Sequence, residues 1–166
     1  MTEVTQKQTD LVVTWDEVHR DTRELGRRLI MTGGRWKGIV GVTRGGLVPA
    51  TILAREMEIR YVDTLCISTY DEQKIGKLDI IKKPEEACAE NGKGWLLVDD
   101  LVDTGVTMKA AKELLPEAHV ATVYAKPGGL QYVDTYVHDV AQEVWVFFPW
   151  DTGPQYVAPL ARNNRD

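Results

Sequence analysis

The sequence predicts an α/β domain with a mostly parallel central sheet flanked by helices, and three observations carry that prediction. GIVGV (residues 38–42), WLLV (95–98) and HVATVYA (119–125) are short continuous apolar runs, as strands buried on both faces require. The first two lead through turns that bear threonine and glycine, TRGGLVP and VDTGVT, into stretches that read as helices. Strand, turn and helix therefore recur along the chain, which is the pattern of an α/β sheet.

Taken in order, Thr14 and Glu17 have the spacing of a capping box, and Val18, Leu25 and Leu29 follow on one face. This predicts a helix over 15–31, ended by TGGRWKG. The strand at 38–42 is followed by a helix over 49–57. Val62, Leu65, Cys66 and Ile67 support a strand over 62–69. Residues 71–83 carry seven charged side chains around Gly76, so they read equally as a mobile loop with extended arms or as a solvated hairpin. WLLV begins the next strand, and a helix from Thr104 to Leu115 must stop at Pro116. HVATVYA is a fourth strand, and QYVDTYV and EVWVFF are two weaker ones.

At 166 residues the chain suffices for one sizeable core. The expected division is a polar extension at 1–11, a single domain at 12–160 and a polar tail at 161–166. A net charge of −5 without a dense basic block argues against nucleic acid as a partner. No apolar run is long enough to span a bilayer, and the polar start lacks the pattern of a secretory signal, so a cytoplasmic location is expected. Cys66 and Cys88 have neither metal-site spacing nor the density of a disulfide scaffold, and are read as reduced thiols.

The chemistry concentrates in VDDLVDTGVT, at the place where a buried strand should emerge from the carboxyl edge of the sheet, the usual ligand side. Asp103, Thr104, Gly105, Val106 and Thr107 form a tight loop feeding a helix, where backbone donors and two hydroxyls suit a phosphate. Asp99 and Asp100 cannot attract a phosphate, so beside such a cradle they call for a positive or hydroxylic partner. Ribose hydroxyls and a divalent metal supply one. An acidic strand end that caps the next helix is the plainer alternative.

LLVDDLVDTGVT resembles the phosphoribosyl-pyrophosphate motif of type I phosphoribosyltransferases. With GVTRGGLVPATILAREM, CISTYD, YAKPGG and VWVFFPWD in the same order, the resemblance covers most of residues 12–160, and it is to the bacterial members that salvage oxopurines. It implies the type I fold with a flexible hood loop. The implied reaction is magnesium-dependent transfer of the 5-phosphoribosyl group of phosphoribosyl pyrophosphate to N9 of guanine or xanthine, with hypoxanthine weaker. A hypoxanthine-guanine enzyme is the nearest alternative, and a non-catalytic regulator that binds phosphoribosyl pyrophosphate is a more distant one. A homotetramer and peripheral membrane association are further implications.

Residue by residue, the resemblance assigns Asp99 and Asp100 to ribose hydroxyls and metal, and Asp103 to acid–base work at purine N7. Thr104, Gly105, Val106 and Thr107 match the 5-phosphate cradle. Val106 stands where the family commonly has a second glycine, so a positive φ there would harm binding. Thr43, Arg44, Gly45 and Gly46 match the pyrophosphate element, often with a cis peptide, and Arg44 supplies charge-assisted donors. Ser68 and Tyr70 stand at the start of the hood loop, from which Lys74 or Lys77 reaches pyrophosphate. Lys126 matches the donor to a purine C6 oxygen. Trp145 matches the stacking ring, with a core anchor as its alternative, and Val146 matches a main-chain carbonyl for the C2 edge. Asp151 matches an acidic residue near the base with a second magnesium, and Asp100 and Asp151 are the metal-associated carboxylates.

Overall fold

The computed structural model describes residues 10–69 and 78–151. Along the chain run β1 (Leu11–Val12), α1 (Trp15–Met31), β2 (Gly38–Thr43), α2 (Leu47–Glu56), β3 (Tyr61–Thr69), β4 (Leu78–Lys82), α3 (Glu85–Ala89), β5 (Trp95–Val102), α4 (Val106–Leu114), β6 (His119–Ala125), β7 (Thr135–Asp139) and β8 (Val146–Phe147). Six strands form one sheet in the order β4-β3-β2-β5-β6-β7. All its pairs are parallel except β3–β4. The parallel strands therefore discharge their loops at one carboxyl edge.

Two apolar clusters cover the two faces. Val18, Leu25 and Leu29 of α1 and Ala50 and Leu53 of α2 pack with Ile39, Leu96 and Val98. Ala87 of α3 and Met108 and Ala111 of α4 pack with Val40, Val42, Trp95 and Leu97 on the other side. The alternation of 95–98 between the clusters explains why all four residues are apolar and buried, since both faces of a central parallel strand are covered. Trp95 is fully buried, and its indole N–H donates to Glu90 Oε2 at 2.8 Å.

The capping box of α1 is formed. Thr14 Oγ1 accepts from the Glu17 N–H, and Glu17 Oε2 accepts from the Thr14 N–H at 2.8 Å. Several boundaries differ from the sequence reading. The β5 strand continues four residues past WLLV, because its ladder with β6 runs on to Val102 opposite Ala125, which places Asp99 and Asp100 within the strand. The α2 helix starts at Leu47, since Pro49 is tolerated in a first turn whose N–H groups lack helical partners. The α4 helix starts at Val106, after a left-handed Gly105. In QYVDTYV only the end is strand, and Leu130–Tyr132 is a single 3-10 turn. Leu11, expected in the extension, begins β1, whose two residues pair in parallel with β8. The five-residue α3 was not anticipated.

One buried polar cluster ties α1 to the sheet. Asp21, only 6% exposed at its side chain, accepts from Arg20 Nε at 2.8 Å and from the Tyr124 hydroxyl at 3.0 Å, with His138 Nε2 3.1 Å away. Burial pushes the Asp21 carboxyl up, but the hydrogen bonds from Arg20 and Tyr124 and the nearby His138 imidazole together outweigh it and hold the group below its ordinary value. A carboxyl depressed on folding contributes stability above its unfolded pKa, and that contribution disappears as pH falls through the folded one. Asp21→Asn is therefore expected to cost about 1–3 kcal/mol at pH 7. The difference from wild type should shrink in urea titrations below about pH 4. An undiminished difference at pH 3 would contradict this account of the cluster.

Candidate active site

Three loops at the carboxyl edge meet around the ends of β2, β5 and β6. In the first, the Thr43–Arg44 peptide is cis and Arg44 is exposed. The two glycines that follow have no room for a side chain: a Cβ on Gly45 would fall 2.4 Å from the Asp100 carboxyl, and one on Gly46 2.2 Å from the Val98 carbonyl oxygen. Backbone of the first loop and the carboxylate of β5 are thus in direct contact.

In the second loop the positive φ falls on Gly105, at +83°, where a Cβ would also strike the Tyr132 ring at 2.4 Å. Val106 is the first residue of α4, and its side chain is exposed. The departure from the family's second glycine therefore imposes no forbidden backbone angle. Only Gly105 needs the left-handed region. Asp99, Asp103, Thr104, Gly105, Val106 and Thr107 line a cavity of about 130 Å³, at the amino end of a helix whose first N–H groups have no helical acceptor.

The acidic pair is electrostatically uncomfortable. The Asp100 N–H donates to Asp99 Oδ1 at 2.9 Å, and the Leu101 N–H to Asp100 Oδ1 at 2.6 Å. Both residues keep partial solvent contact while being crowded by protein. That crowding, together with the neighbouring charge of Asp100, pushes the Asp99 carboxyl well up. Burial pushes Asp100 up to about 6, against opposing hydrogen bonds from Asp99 and the Leu101 N–H and with a further upward push from Asp151. Asp100 and Asp151 therefore feel one another across the site. The Asp151 carboxylate also accepts from the Phe148 N–H at 3.1 Å. Among the described residues no three or more His, Cys, Asp or Glu side chains converge to cage a metal.

The third loop carries Lys126, whose side chain is 4% exposed. Its ammonium donates to Asp103 Oδ2 at 3.0 Å, so the donor expected at a base oxygen and the carboxylate expected at N7 are adjacent. The structure adds a residue that the sequence reading missed. Gln142 Nε2 donates to Asp103 Oδ1 at 2.6 Å, and Gln142 Oε1 accepts from the Gly128 N–H at 2.8 Å. Nothing in DVAQEVW marks that glutamine, because only the tertiary fold brings it to Asp103.

Trp145 is 58% exposed, which removes the core-anchor alternative. At and just before β8, the Trp145 and Phe147 carbonyls accept from the Leu11 and Val13 N–H groups at 2.8 and 2.9 Å. Strand alternation then turns the Val146 carbonyl to the opposite edge, away from β1. Ser68 lies on β3 opposite Asp79. Tyr70, Lys74 and Lys77 lie outside the described residues.

A small cavity at a helix amino end, a glycine turn pressed on an acidic strand end and a lysine–aspartate pair meet on adjacent loops of a parallel sheet, an arrangement suited to holding an anionic ligand beside carboxylates. The chain matches the phosphoribosyl transferase domain over residues 14–157 and belongs to that family. It is 52% identical over 149 residues to the xanthine-guanine phosphoribosyltransferase of Desulfotalea psychrophila, covering 89% of this chain and 90% of the relative. It is also 52% identical to the enzyme of that name from Chromohalobacter salexigens, over 89% and 88% of the two chains. The fold is that of type I phosphoribosyltransferases. The purine phosphoribosyltransferase of Pyrococcus horikoshii superposes with a TM-score of 0.72 at 26% identity, covering 90% of this chain and 99% of that one.

Proposed function

We propose that this purine-salvage enzyme transfers the 5-phosphoribosyl group of phosphoribosyl pyrophosphate to N9 of guanine or xanthine, and more weakly of hypoxanthine, releasing pyrophosphate. The observation that carries the reading is the buried Lys126 ammonium 3.0 Å from Asp103. A lysine only donates, so it suits an oxygen at C6 and faces the wrong chemistry in adenine's amino group. The adjacent carboxylate suits the proton at N7.

Thr104, Gly105, Val106 and Thr107 hold the 5-phosphate, and Thr43, Arg44, Gly45 and Gly46 hold the pyrophosphate. Asp99 and Asp100 orient the ribose hydroxyls. The purine stacks on exposed Trp145 and meets the Val146 carbonyl at its C2 edge, which sorts substituents there. The N9 lone pair forms the bond to the anomeric carbon as the bond to the pyrophosphate oxygen breaks. The proton on N7 then passes to Asp103. Positioning and electrostatic complementarity supply most of the acceleration.

The Asp100 and Asp151 carboxylates, which feel one another's charge, fit a hard divalent cation such as Mg²⁺. An incomplete protein cage is what that ion accepts when phosphates and waters complete its shell. Asp100 and Asp151 would hold it, and when bound it neutralises the charge of the departing pyrophosphate. The loop of Tyr70, Lys74 and Lys77, entered through Ser68, belongs to this reading as the cover of the site. So do a cytoplasmic homotetramer and peripheral membrane association. Exposed Leu47, Tyr61, Val62 and Ile81 support subunit contacts, and no helix among the described residues is long and apolar enough to cross a membrane.

The test is the initial rate of pyrophosphate release with guanine, xanthine, hypoxanthine and adenine at equal magnesium. Guanine and xanthine should lead, with adenine at least about a hundredfold slower. Comparable adenine turnover would remove the role given to Lys126. No transfer to any purine, by folded protein that binds phosphoribosyl pyrophosphate, would favour a regulator.

A further inference from the structure

The Asp103–Lys126 pair poses a difficulty for any reaction at N7. Opposite charges 3.0 Å apart attract, and a carboxylate free to turn about its last bond would offer both oxygens to the ammonium, leaving neither aimed at a purine. In the structure the second oxygen is instead taken up by Gln142. The Gly128 N–H can only donate, so the amide oxygen of Gln142 must face it, at 2.8 Å. The amide nitrogen is then directed at Asp103 Oδ1, at 2.6 Å. A Cβ on Gly128 would stand 3.0 Å from the Gln142 amide oxygen, so the glycine leaves the space in which this contact is made. The main-chain carbonyl of Gln142 also lies 3.4 Å from the Lys126 ammonium, giving that cation an acceptor besides Asp103.

We propose that Gln142 is a positioning residue for purine transfer, whose carboxamide, oriented by the Gly128 N–H, fixes Asp103 Oδ1 so that Oδ2 is the oxygen presented to the purine N7 proton. The inference rests on the oxopurine reading of this site and extends it. Gln142 touches no reacting atom. It acts through Asp103, whose side chain is 46% exposed and whose Oδ2 is held by the Lys126 ammonium at 3.0 Å until that donor turns to the base. When an oxopurine draws the Lys126 ammonium to its C6 oxygen, the Gln142 contact is the one that continues to hold the carboxylate. A misplacement of the order of 1 Å in such a group costs about a hundredfold in rate.

The experiment is a double-mutant cycle of Gln142→Leu with Asp103→Ala, reading kcat and KM for guanine, KM for phosphoribosyl pyrophosphate, and thermal stability. Leucine matches the glutamine in size and lacks both hydrogen-bonding groups. Q142L alone should lower kcat with guanine about 10- to 100-fold. Its KM for phosphoribosyl pyrophosphate should stay within about twofold and its Tm within a degree or two, since Gln142 is exposed. In the D103A background, where there is no carboxylate to orient, adding Q142L should change kcat less than about twofold. A wild-type kcat in Q142L, or an equal loss in both backgrounds, overturns the role given to Gln142 while leaving the transfer reaction intact. Failure of the wild-type enzyme to use any purine overturns the function and this inference together.

Discussion

Asp103→Ala is expected to slow transfer to guanine by about 100- to 10,000-fold, the range for losing a positioned proton acceptor, and to destabilise the protein as well. The second effect follows from Lys126, whose ammonium is buried and donates to Asp103 Oδ2. With the carboxylate gone, the contact that remains to it among the described residues is the Gln142 carbonyl at 3.4 Å. Leaving a buried charged donor underpaired costs more than the about 1–3 kcal/mol of a neutral one. Asp103→Asn separates the two losses. Its amide oxygen still accepts from the ammonium, while its NH2 meets the Gln142 Nε2 donor, so part of the stability should return. It carries no charge and takes no proton at neutral pH, so the rate should stay low. Single-turnover rates and urea midpoints on both variants decide the matter. An Asn variant that transfers at the wild-type rate would remove Asp103 from the proton path.

The frame of this site was legible in the sequence because its residues sit on regular elements. GIVGV and WLLV read as buried strands since both faces of a central parallel strand are covered, and Thr14 with Glu17 announced α1 because a capping box is local chemistry. The loops after those strands followed from Gly45, Gly46 and Gly105. The structure gives the physical reason for each: an Asp100 carboxyl, a Val98 carbonyl and a Tyr132 ring stand where a Cβ would be.

What the sequence could not carry was set by distance along the chain. The acidic pair read as a strand end because Asp99 and Asp100 are polar. The ladder to β6 overrides that preference and extends β5 through them. Gln142 lies 39 residues from the Asp103 it holds, in a stretch with no periodicity. The pairing of β1 with β8 joins two-residue strands from opposite ends of the domain, below the length at which alternation can be seen. The angle at Val106 stayed open until α4 was seen to begin there, with Gly105 taking the left-handed turn.

Gly45 and Gly46 are adjacent, yet their alanine variants are expected to fail in different ways. A Cβ on Gly46 would fall 2.2 Å from the Val98 carbonyl oxygen and 2.7 and 2.8 Å from the Val42 oxygen and nitrogen. These are backbone atoms of β5 and β2, two central strands that pair with one another, and they cannot move aside without breaking the ladder. Gly46→Ala should therefore lie at or beyond the upper end of overpacking costs, about 3 kcal/mol, and lower Tm by roughly 6–12 °C for a domain of this size. At Gly45 the obstructing atoms belong to the Asp100 carboxyl, 2.4 Å away, and a side chain can rotate. Gly45→Ala should therefore keep most of its stability while displacing the carboxylate proposed to serve ribose and metal. Its KM for phosphoribosyl pyrophosphate should rise about tenfold or more, with the KM for guanine little changed. Gly26→Ala is the control, because its Cβ would meet only Leu53 Cδ2 at 3.4 Å inside α1, where alanine is the better helix former by about 0.5–1 kcal/mol. Thermal melts and substrate titrations on the three variants give a direct reading. If Gly46→Ala melts with wild type, or Gly45→Ala binds phosphoribosyl pyrophosphate normally, the close contact between the first loop and β5 is not the constraint described here.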